Sequence, residues 1–265
     1  MTKHSVRKII SDPQWKALQV AVAAAKHSPA GAPPKLTDRE FLEALLSLNR
    51  TGHPWRDLPA ELGSWHAVYM RLRRWEARGV WQHLWQDLQS EPFAQARGLF
   101  LDSTTVRAPQ HAAGAPKKNG PEQALGRSRG GLSTKIHAAT IDENCAVALH
   151  LTPGQAHDGR QFESLYESLP ADNVLESAAL DKGYDADRIR ERLAYDGIQP
   201  VIPPLSCRSK KPAYDKALYR ERNRVERFFN KLKQFRRIAT RYDKLAKTFF
   251  AAVHLVAAFL IIRNS

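Results

Sequence analysis

The chain has 265 residues, 43% of them hydrophobic, which is enough for one large domain or two modest ones with a buried core. Its formal net charge is +14 at pH 7, and residues 207–247 alone hold 15 Lys and Arg against 4 Asp and Glu. So one-sided a charge favours a polyanionic partner, above all nucleic acid, over a merely solvated helix face. Cys145 and Cys207 lack metal-finger spacing and argue against a disulfide framework, which fits a reducing cytoplasm.

Residues 36–88 have the sequence pattern of helices throughout. Thr37 and Glu40, three residues apart, form a predicted capping box at the start of one helix. Ser64 can cap a second, basic helix that ends at Gly79. The first part of the chain is therefore predicted to be a small helical unit.

Two short helices with a basic second one are typical of a helix-turn-helix DNA-binding domain, although any small helical bundle gives the same pattern. We expect this domain to span residues 1–90, with Arg71 and Arg74 on its second helix as DNA contacts. The pattern changes near residue 91, and we place the boundary to a second domain there, over residues 91–265.

In the second domain, two predicted strands are each followed by an aspartate. The apolar run 98–101 predicts a strand that ends at Asp102, and residues 174–180 predict another that ends at Asp181. Loops at strand ends build many functional sites, so a carboxylate there is a candidate for chemistry. Taken singly, such an aspartate is more commonly a cap or a turn former.

A basic loop and a hairpin lie between these two strands. Residues 107–131 are rich in Gly, Pro, Lys and Arg and predict a flexible loop. Residues 133–141 and 145–151 predict the two strands of a hairpin, and helices are expected over residues 159–169 and 187–195. This mixture of strands and helices predicts an α/β fold.

The basic segment 219–233 has the pattern of an amphipathic helix. At about 100° per residue, its polar residues Tyr219, Arg222, Glu226 and Lys233 fall within roughly 60° of arc on one face. The apolar stripe beside them would pack this helix against the body of the protein and place Glu226 at the edge of that contact. The alternative is a helix whose Glu226 only neutralises Arg222 four residues away.

Asp102, Asp181 and Glu226 together suggest a metal site. Three carboxylates in one place repel one another, and divalent cations with oxygen ligands relieve that repulsion. Two such ions about 3.5–4 Å apart can activate a nucleophile and stabilise the leaving oxygen in phosphoryl transfer. The basic segment would then hold the other phosphates of the substrate.

The sequence resembles the DDE transposases of bacterial insertion sequences, in the branch of insertion sequence family 5 and the related family 4. The resemblance covers the chain from about residue 36 to the C-terminus. Its motifs are LDST at Asp102, GRSRGGLSTKIHA at 126–138, LTPGQAHD at 151–158, LDKGYD around Asp181, and Tyr-x2-Arg-x3-Glu-x6-Lys at 219–233.

The resemblance implies a ribonuclease-H-like catalytic core preceded by a helical DNA-binding domain. It implies two Mg²⁺ ions, with Mn²⁺ as a substitute, bound by Asp102, Asp181 and Glu226. It also implies that water cleaves DNA at the terminal inverted repeats of the element, after which the freed 3′-hydroxyl ends attack target DNA. Pairing two ends favours a homo-oligomer on DNA. The residues expected to hold DNA phosphates near the cleavage point are Tyr219, Arg222 and Lys233.

Other candidates carry alternatives with them. We expect Arg127, Arg129 and Lys135 to touch backbone phosphate, with a plain flexible loop as the alternative. Asp158 is expected to open the helix that follows it, and Tyr184 is a candidate near the site or a packing residue. For the whole chain, the alternatives are a non-catalytic, transposase-derived DNA-binding regulator and a nuclease that cuts without joining.

The most apolar stretch of the chain lies near its C-terminus. Residues 248–262 are fewer than the roughly 20 that a membrane span needs, and they include His254. We therefore predict a buried helix with His254 as a core residue, and no membrane partner.

Overall fold

The structure of the chain is a computed structural model that describes residues 8–26, 35–115, 123–128, 130–171 and 174–263. The described helices are α1 (Asp12–Lys26), α2 (Asp38–Thr51), α3 (Trp65–Ala77), α4 (Val80–Gln95), α5 (Phe162–Glu167), α6 (Asp187–Tyr195), α7 (Lys216–Arg220), α8 (Asn223–Lys233), α9 (Arg236–Ala239) and α10 (Ala246–Ile262). The described strands are β1 (Gly98–Arg107), β2 (Gly126–Ser128), β3 (Gly131–Thr140), β4 (Ala146–Pro153), β5 (Ser177–Leu180) and β6 (Gln199–Val201). The predicted α/β fold with a helical N-terminal region is confirmed.

The six described strands form one mixed sheet. Strand β1 lies between β3, which is antiparallel to it, and β5, which is parallel to it, and β6 continues beyond β5. Strands β2 and β4 both pair with the outer edge of β3, and the predicted hairpin of β3 and β4 is confirmed. Strand β1 therefore lies inside the sheet, with β3 on one side and β5 on the other.

Residues 99–101 of β1 are buried on both faces of the sheet, because the apolar side chains of the strand alternate between two hydrophobic clusters. Leu99 and Leu101 join a cluster with α5 and α6, whereas Phe100 and Val106 join the larger cluster formed with α8, α10 and the N-terminal helices. This alternation is the period of two that a strand imposes. The sheet is therefore covered by helices on each side.

Strand β1 continues past the point where the sequence predicted its end. We expected it to stop before Asp102, but it runs to Arg107, so Asp102 lies inside the strand. The reason is the partner strand, since residues 103–107 continue the antiparallel pairing with β3 from His137 to Ser133. Only the parallel pairing with β5 stops at Leu101, before the aspartate.

The N-terminal helices follow the predicted caps in part. The capping box of α2 is confirmed, since Thr37 Oγ1 accepts from the backbone N–H of Glu40 at 3.2 Å and Glu40 Oε2 accepts from that of Thr37 at 2.8 Å. Ser64 precedes α3 but makes no capping bond with its side chain. Gly79 separates α3 from α4 with a φ of +70°, a conformation that favours glycine.

The proposed boundary near residue 90 falls inside a helix. Helix α4 runs without interruption from Val80 to Gln95, and it packs against α10 from the end of the chain. Leu42, Leu84 and Phe228 belong to one hydrophobic cluster. The division into 1–90 and 91–265 stays a prediction, and the two parts share a core.

The segment that carries the Tyr-Arg-Glu-Lys motif is two helices rather than the one predicted. Helix α7 ends at Arg220 and α8 begins at Asn223. Between them the backbone tightens, because Arg222 N donates to Tyr219 O and Val225 N donates to Arg222 O, three residues back in each case. Tyr219 therefore lies on α7, and Arg222 stands at the start of α8.

The predicted C-terminal helix is present as α10. Thirteen of its 17 residues are buried, including His254, which stacks on the ring of Trp85 at 5.1 Å. Across the described residues, none of the helices is both long enough and apolar enough to cross a bilayer.

Candidate active site

The sheet register places Asp102 beside Asp181. Leu101 pairs with Leu180 at the last position of the parallel ladder, and the next residue on each chain is the aspartate. Neighbouring strands lie about 4.8 Å apart, so the two carboxylates leave adjacent points of the sheet. Burial raises the pKa of Asp102, and the negative charge of Asp181 adds to that shift, while the Ser103 N–H and Arg222 oppose it.

Arg222 links the third carboxylate of the motif to this pair. Its Nη1 donates to Asp102 Oδ2 at 2.6 Å, and its Nη2 donates to Glu226 Oε1. Glu226 lies in the first turn of α8 with its side chain 49% exposed, whereas that of Arg222 is only 15% exposed. Asp102 and Glu226 thus share one guanidinium as their counter-ion.

The donor chemistry of this site fits a divalent cation. Asp102 and Asp181 offer carboxylate oxygens from neighbouring strands, and such oxygens are the ligands that Mg²⁺ and Mn²⁺ prefer. Within the described part of the chain, no group of three or more His, Cys, Asp and Glu side chains is close enough to hold a metal ion. Glu226 is turned to Arg222 instead, so the convergence of all three carboxylates stays a prediction.

A fourth carboxylate, Asp158, lies beneath this site. Its Oδ1 accepts from Ser103 Oγ at 2.7 Å and from Lys135 Nζ at 2.9 Å, and His137 Nδ1 lies 3.8 Å away. Burial lowers the pKa of His137 to about 4. Because the Ser103 N–H also donates to Asp102 at 2.8 Å, this network fixes the strand next to the site.

One expectation about this network needs correction, and a second is confirmed in part. Lys135 is not a free phosphate contact, since its Nζ is held by Asp158 and by the carbonyl oxygen of Ala156 at 2.8 Å. Asp158 begins a short 3-10 turn, but its side chain faces the sheet. The sequence held a signal for this arrangement, because Lys135 and His137 have the spacing of one strand face.

Tyr184 is buried against the same group of acids. Its side chain is 1% exposed, and its hydroxyl has no hydrogen-bond partner in the described part of the chain. Its pKa is raised well above its usual value by burial, and next by the charges of Asp158, Asp102 and Asp181. Tyr184 therefore closes one side of the site.

Tyr219 contacts Arg222, and Lys233 contacts β1. The Arg222 guanidinium carbon stands 5.7 Å from the centre of the Tyr219 ring. Lys233 Nζ donates to the carbonyl oxygen of Thr105 at 3.2 Å, three residues along β1 from Asp102. Burial lowers the pKa of Lys233. Arg222 and Lys233 thus contact β1, the strand that carries Asp102, and Tyr219 and Glu226 contact Arg222.

The structure bears differently on each of the other predicted DNA contacts. Arg71 is buried, donates to Asp38 and to the carbonyl oxygen of Leu36, and was therefore wrongly expected to contact DNA. Arg74 and Arg127 are exposed, and their contacts with DNA stay predictions. Arg129 lies outside the described residues.

Comparison with known proteins identifies the family of the chain. Residues 94–261 match the family described as a transposase DDE domain, and residues 10–85 match one described as "Putative transposase of IS4/5 family". The first match alone covers more than half of the sequence. The chain therefore belongs to the DDE transposases of insertion sequences, which are DNA-binding, DNA-cutting proteins with a ribonuclease-H-like core and a requirement for divalent metal ions.

Two of three similar proteins are named as transposases of insertion sequences, and the third is uncharacterized. The chain is 36% identical over 133 residues to a "Putative transposase for insertion sequence element IS6501" of Brucella ovis, over 50% of this chain and 100% of that protein. It is 31% identical over 135 residues to the transposase for insertion sequence element IS1106 of Neisseria meningitidis serogroup B, over 49% of this chain and 46% of that protein. It is also 40% identical over 111 residues to the uncharacterized protein y4sN of Sinorhizobium fredii, over 42% of this chain and 86% of that protein.

Proposed function

We propose that the protein cuts DNA at the terminal inverted repeats of an insertion sequence and joins the resulting 3′-hydroxyl ends to target DNA, in the bacterial cytoplasm. The observation that supports this most directly is the register of β1 and β5, which sets Asp102 beside Asp181. Glu226 is connected to the pair through Arg222. The residues proposed for catalysis thus come from one place on the sheet and from the helix that covers it.

Asp102, Asp181 and Glu226 would hold two Mg²⁺ ions, which supply activation of a nucleophile and stabilisation of the leaving oxygen when bound. For Glu226 to join the aspartates, Arg222 must release it. A DNA phosphate is the natural new partner, because guanidinium groups bind phosphate as they bind carboxylate, through two parallel hydrogen bonds. In this mechanism Arg222 passes from the carboxylates to the DNA when the substrate arrives.

The remaining residues hold the site in place. The Ser103 N–H and the Asp158 network would fix Asp102 on β1, the strand next to the one that leads to Asp181. Lys233, whose Nζ donates to Thr105 O, would reach a neighbouring phosphate of the bound DNA strand. The buried ring of Tyr184 would help to exclude water from the site. Two DNA ends require two such sites, so we propose a homo-oligomer on DNA.

The test is cleavage of a duplex that carries an end of the element, with Mg²⁺ or Mn²⁺. Asp181→Asn should abolish nicking while leaving DNA binding largely intact. Asp187→Asn is the matched control, since Asp187 is six residues away, 72% exposed and paired with Arg208. Equal loss of binding and nicking in Asp181→Asn would contradict its metal role.

Joining is tested separately from cutting. A pre-cut end with a 3′-hydroxyl should be transferred into a second DNA, and the same end with a 3′-deoxy terminus should not. Nicking without transfer would indicate a nuclease that cuts without joining. Tight DNA binding with neither nicking nor transfer would indicate a DNA-binding regulator.

A further inference from the structure

The hydroxyl of Tyr184 is a buried polar group without a hydrogen-bond partner. The side chain is only 1% exposed, and none of the described residues donates to its hydroxyl or accepts from it. A buried hydroxyl in this state costs free energy, and folded proteins contain few of them. Natural proteins break this rule mainly at functional sites. We therefore looked for the group that the hydroxyl would bind when the site is at work.

Tyr184 lies where two short turns meet. It ends the turn Lys182–Tyr184, which follows Asp181 directly. This turn packs on the one that starts at Asp158, so closely that a Cβ atom on Gly159 would lie 2.9 Å from the carbonyl oxygen of Gly183. Among the charged groups, Asp158 contributes most to raising the pKa of Tyr184. The hydroxyl thus keeps its proton and is a donor close to a carboxylate.

Asp158 has an oxygen that is free to accept. Its Oδ1 accepts from Ser103 Oγ at 2.7 Å and from Lys135 Nζ at 2.9 Å, whereas its Oδ2 accepts from none of the residues that the structure describes. A second buried atom without a partner among these residues, His137 Nδ1, lies 3.8 Å from Oδ1. The hydrogen bonds around Asp158 are therefore incomplete, and a small movement of the carboxylate would add to them.

The other two acids near Tyr184 are less suited to accept its proton. Both carboxylate oxygens of Asp102 are occupied, one by the Ser103 N–H at 2.8 Å and the other by Arg222 at 2.6 Å. Asp181 accepts from the Lys182 N–H at 2.6 Å, and the proposed function leaves its remaining oxygen to metal. Asp158 Oδ2 has neither of these demands on it.

We propose that Tyr184 is a positioning residue, whose hydroxyl donates to Asp158 Oδ2 when DNA and metal occupy the site and so fixes Asp181 relative to Asp102. Tyr184 belongs to the turn that follows Asp181, and Asp158 holds Ser103, the neighbour of Asp102. The bond closes a chain of contacts from one aspartate to the other. Hydrogen bonds in enzyme sites are often unformed in the free protein and tighten in the substrate complex. The proposal rests on the proposed function, since it needs both aspartates as metal ligands.

Tyr184→Phe tests the proposal, because it removes the hydroxyl and keeps the ring. The hydroxyl has no partner in the free protein, so the variant should keep or raise the urea midpoint in EDTA. Nicking of a duplex end with Mg²⁺ should nevertheless fall by about 10- to 100-fold, the usual effect of losing a partner of a metal ligand. Affinity for the same duplex in EDTA should stay within about twofold of wild type. Nicking at the wild-type rate would overturn the proposal.

Metal affinity is the readout that needs no activity. Titration of Mn²⁺ into the protein bound to a pre-cut DNA end, followed by electron paramagnetic resonance, should show about tenfold weaker binding in Tyr184→Phe. The matched control is Tyr166→Phe on α5, since the Tyr166 hydroxyl donates to Asp196 at 2.7 Å. This control should lower the urea midpoint and leave nicking and Mn²⁺ affinity within about twofold of wild type. If Tyr184→Phe gives the pattern of the control, its hydroxyl is structural and the proposal is wrong.

A double-mutant cycle with Asp158→Asn tests the proposed partner. If Tyr184 acts through Asp158, the double variant should nick no more slowly than Asp158→Asn alone. Two losses that multiply would place the hydroxyl on another group and overturn the assignment. These failures differ from failure of the proposed function, in which the wild-type protein itself would not nick DNA with Mg²⁺ or Mn²⁺.

Discussion

Arg222 donates to Asp102 at 2.6 Å, although 120 residues separate the two in the sequence. The same guanidinium holds Glu226. A single cation that the protein itself supplies therefore pairs with two of the three carboxylates proposed to bind metal. Because Arg222 and a divalent ion compete for the same oxygens, DNA that attracts Arg222 should also favour metal binding, and the effect must be reciprocal.

Arg222→Gln should raise the affinity for Mn²⁺ in the absence of DNA. Two unit charges 4 Å apart near a protein surface interact by roughly 4 kcal/mol, so loss of the guanidinium should tighten metal binding by about tenfold even after solvent screening. The measurement is a titration of Mn²⁺ followed by electron paramagnetic resonance. It needs no catalytic activity.

Arg224→Gln is the control for this titration. Arg224 lies two residues away on α8 and pairs with Glu221 rather than with the proposed metal ligands. Its loss should leave Mn²⁺ affinity within about twofold of wild type. Unchanged affinity in Arg222→Gln would mean that the guanidinium does not compete with metal.

Because His254 is buried, we expect the protein to lose stability in mild acid. Burial lowers its pKa from 6.5 to about 3, so the unfolded chain takes up a proton between these values and the folded chain does not. Stability is therefore full above about pH 6.5 and falls as the pH drops toward 3. Between pH 7 and pH 5 this one group should cost about 2 kcal/mol of unfolding free energy.

Urea unfolding of His254→Gln at the two pH values checks this. The variant should lose about 2 kcal/mol less than wild type between pH 7 and pH 5, whatever its stability at pH 7. His157→Gln, at an exposed position, should behave as wild type. The same pH dependence in His254→Gln and wild type would assign the acid sensitivity to other groups.

The elements around Asp181 could be predicted because their signals are local. The strand before it and helix α6 after it were expected near their observed places, and the capping box of α2 was correct in detail. Asp102 was misplaced at a strand end because residues 103–107 are held by pairing with β3, which no local pattern reports. Tertiary pairing decided that boundary, as it often does for strands.

The contacts of the charged side chains were the least predictable part of the site. The spacing of Arg222 and Glu226 indicates that the two can pair, but no local pattern shows that Asp102 shares the guanidinium. Lys135 was expected to contact DNA, whereas Asp158 holds it. Charge counts state how many cations exist, but only the fold decides which of them are free.

DNA affinity should depend steeply on salt. If the protein contacts six to ten phosphates, affinity for a duplex end should fall by about 10³–10⁵ between 50 and 200 mM salt. The measurement is a binding titration at several salt concentrations. A flat response would contradict the assignment of residues 207–247 to DNA.

Arg71 and Arg74 should separate stability from DNA binding. Arg71 donates to Asp38 and to Leu36 O, and its guanidinium lies 4.4 Å from the centre of the Phe41 ring. Arg71→Gln should therefore lower the unfolding free energy by about 2 kcal/mol, because it removes buried charge-assisted bonds and a cation–π contact. Urea unfolding measures this loss.

Arg74→Gln, on the same helix, should change DNA binding but not stability. Arg74 is exposed, so its unfolding free energy should stay within about 0.5 kcal/mol of wild type. If α3 faces DNA, this variant should weaken binding and reduce the slope of log affinity against log salt by about 0.9, the value for one phosphate of a duplex. Unchanged affinity and slope in Arg74→Gln would move the DNA surface of the N-terminal region away from this face of α3.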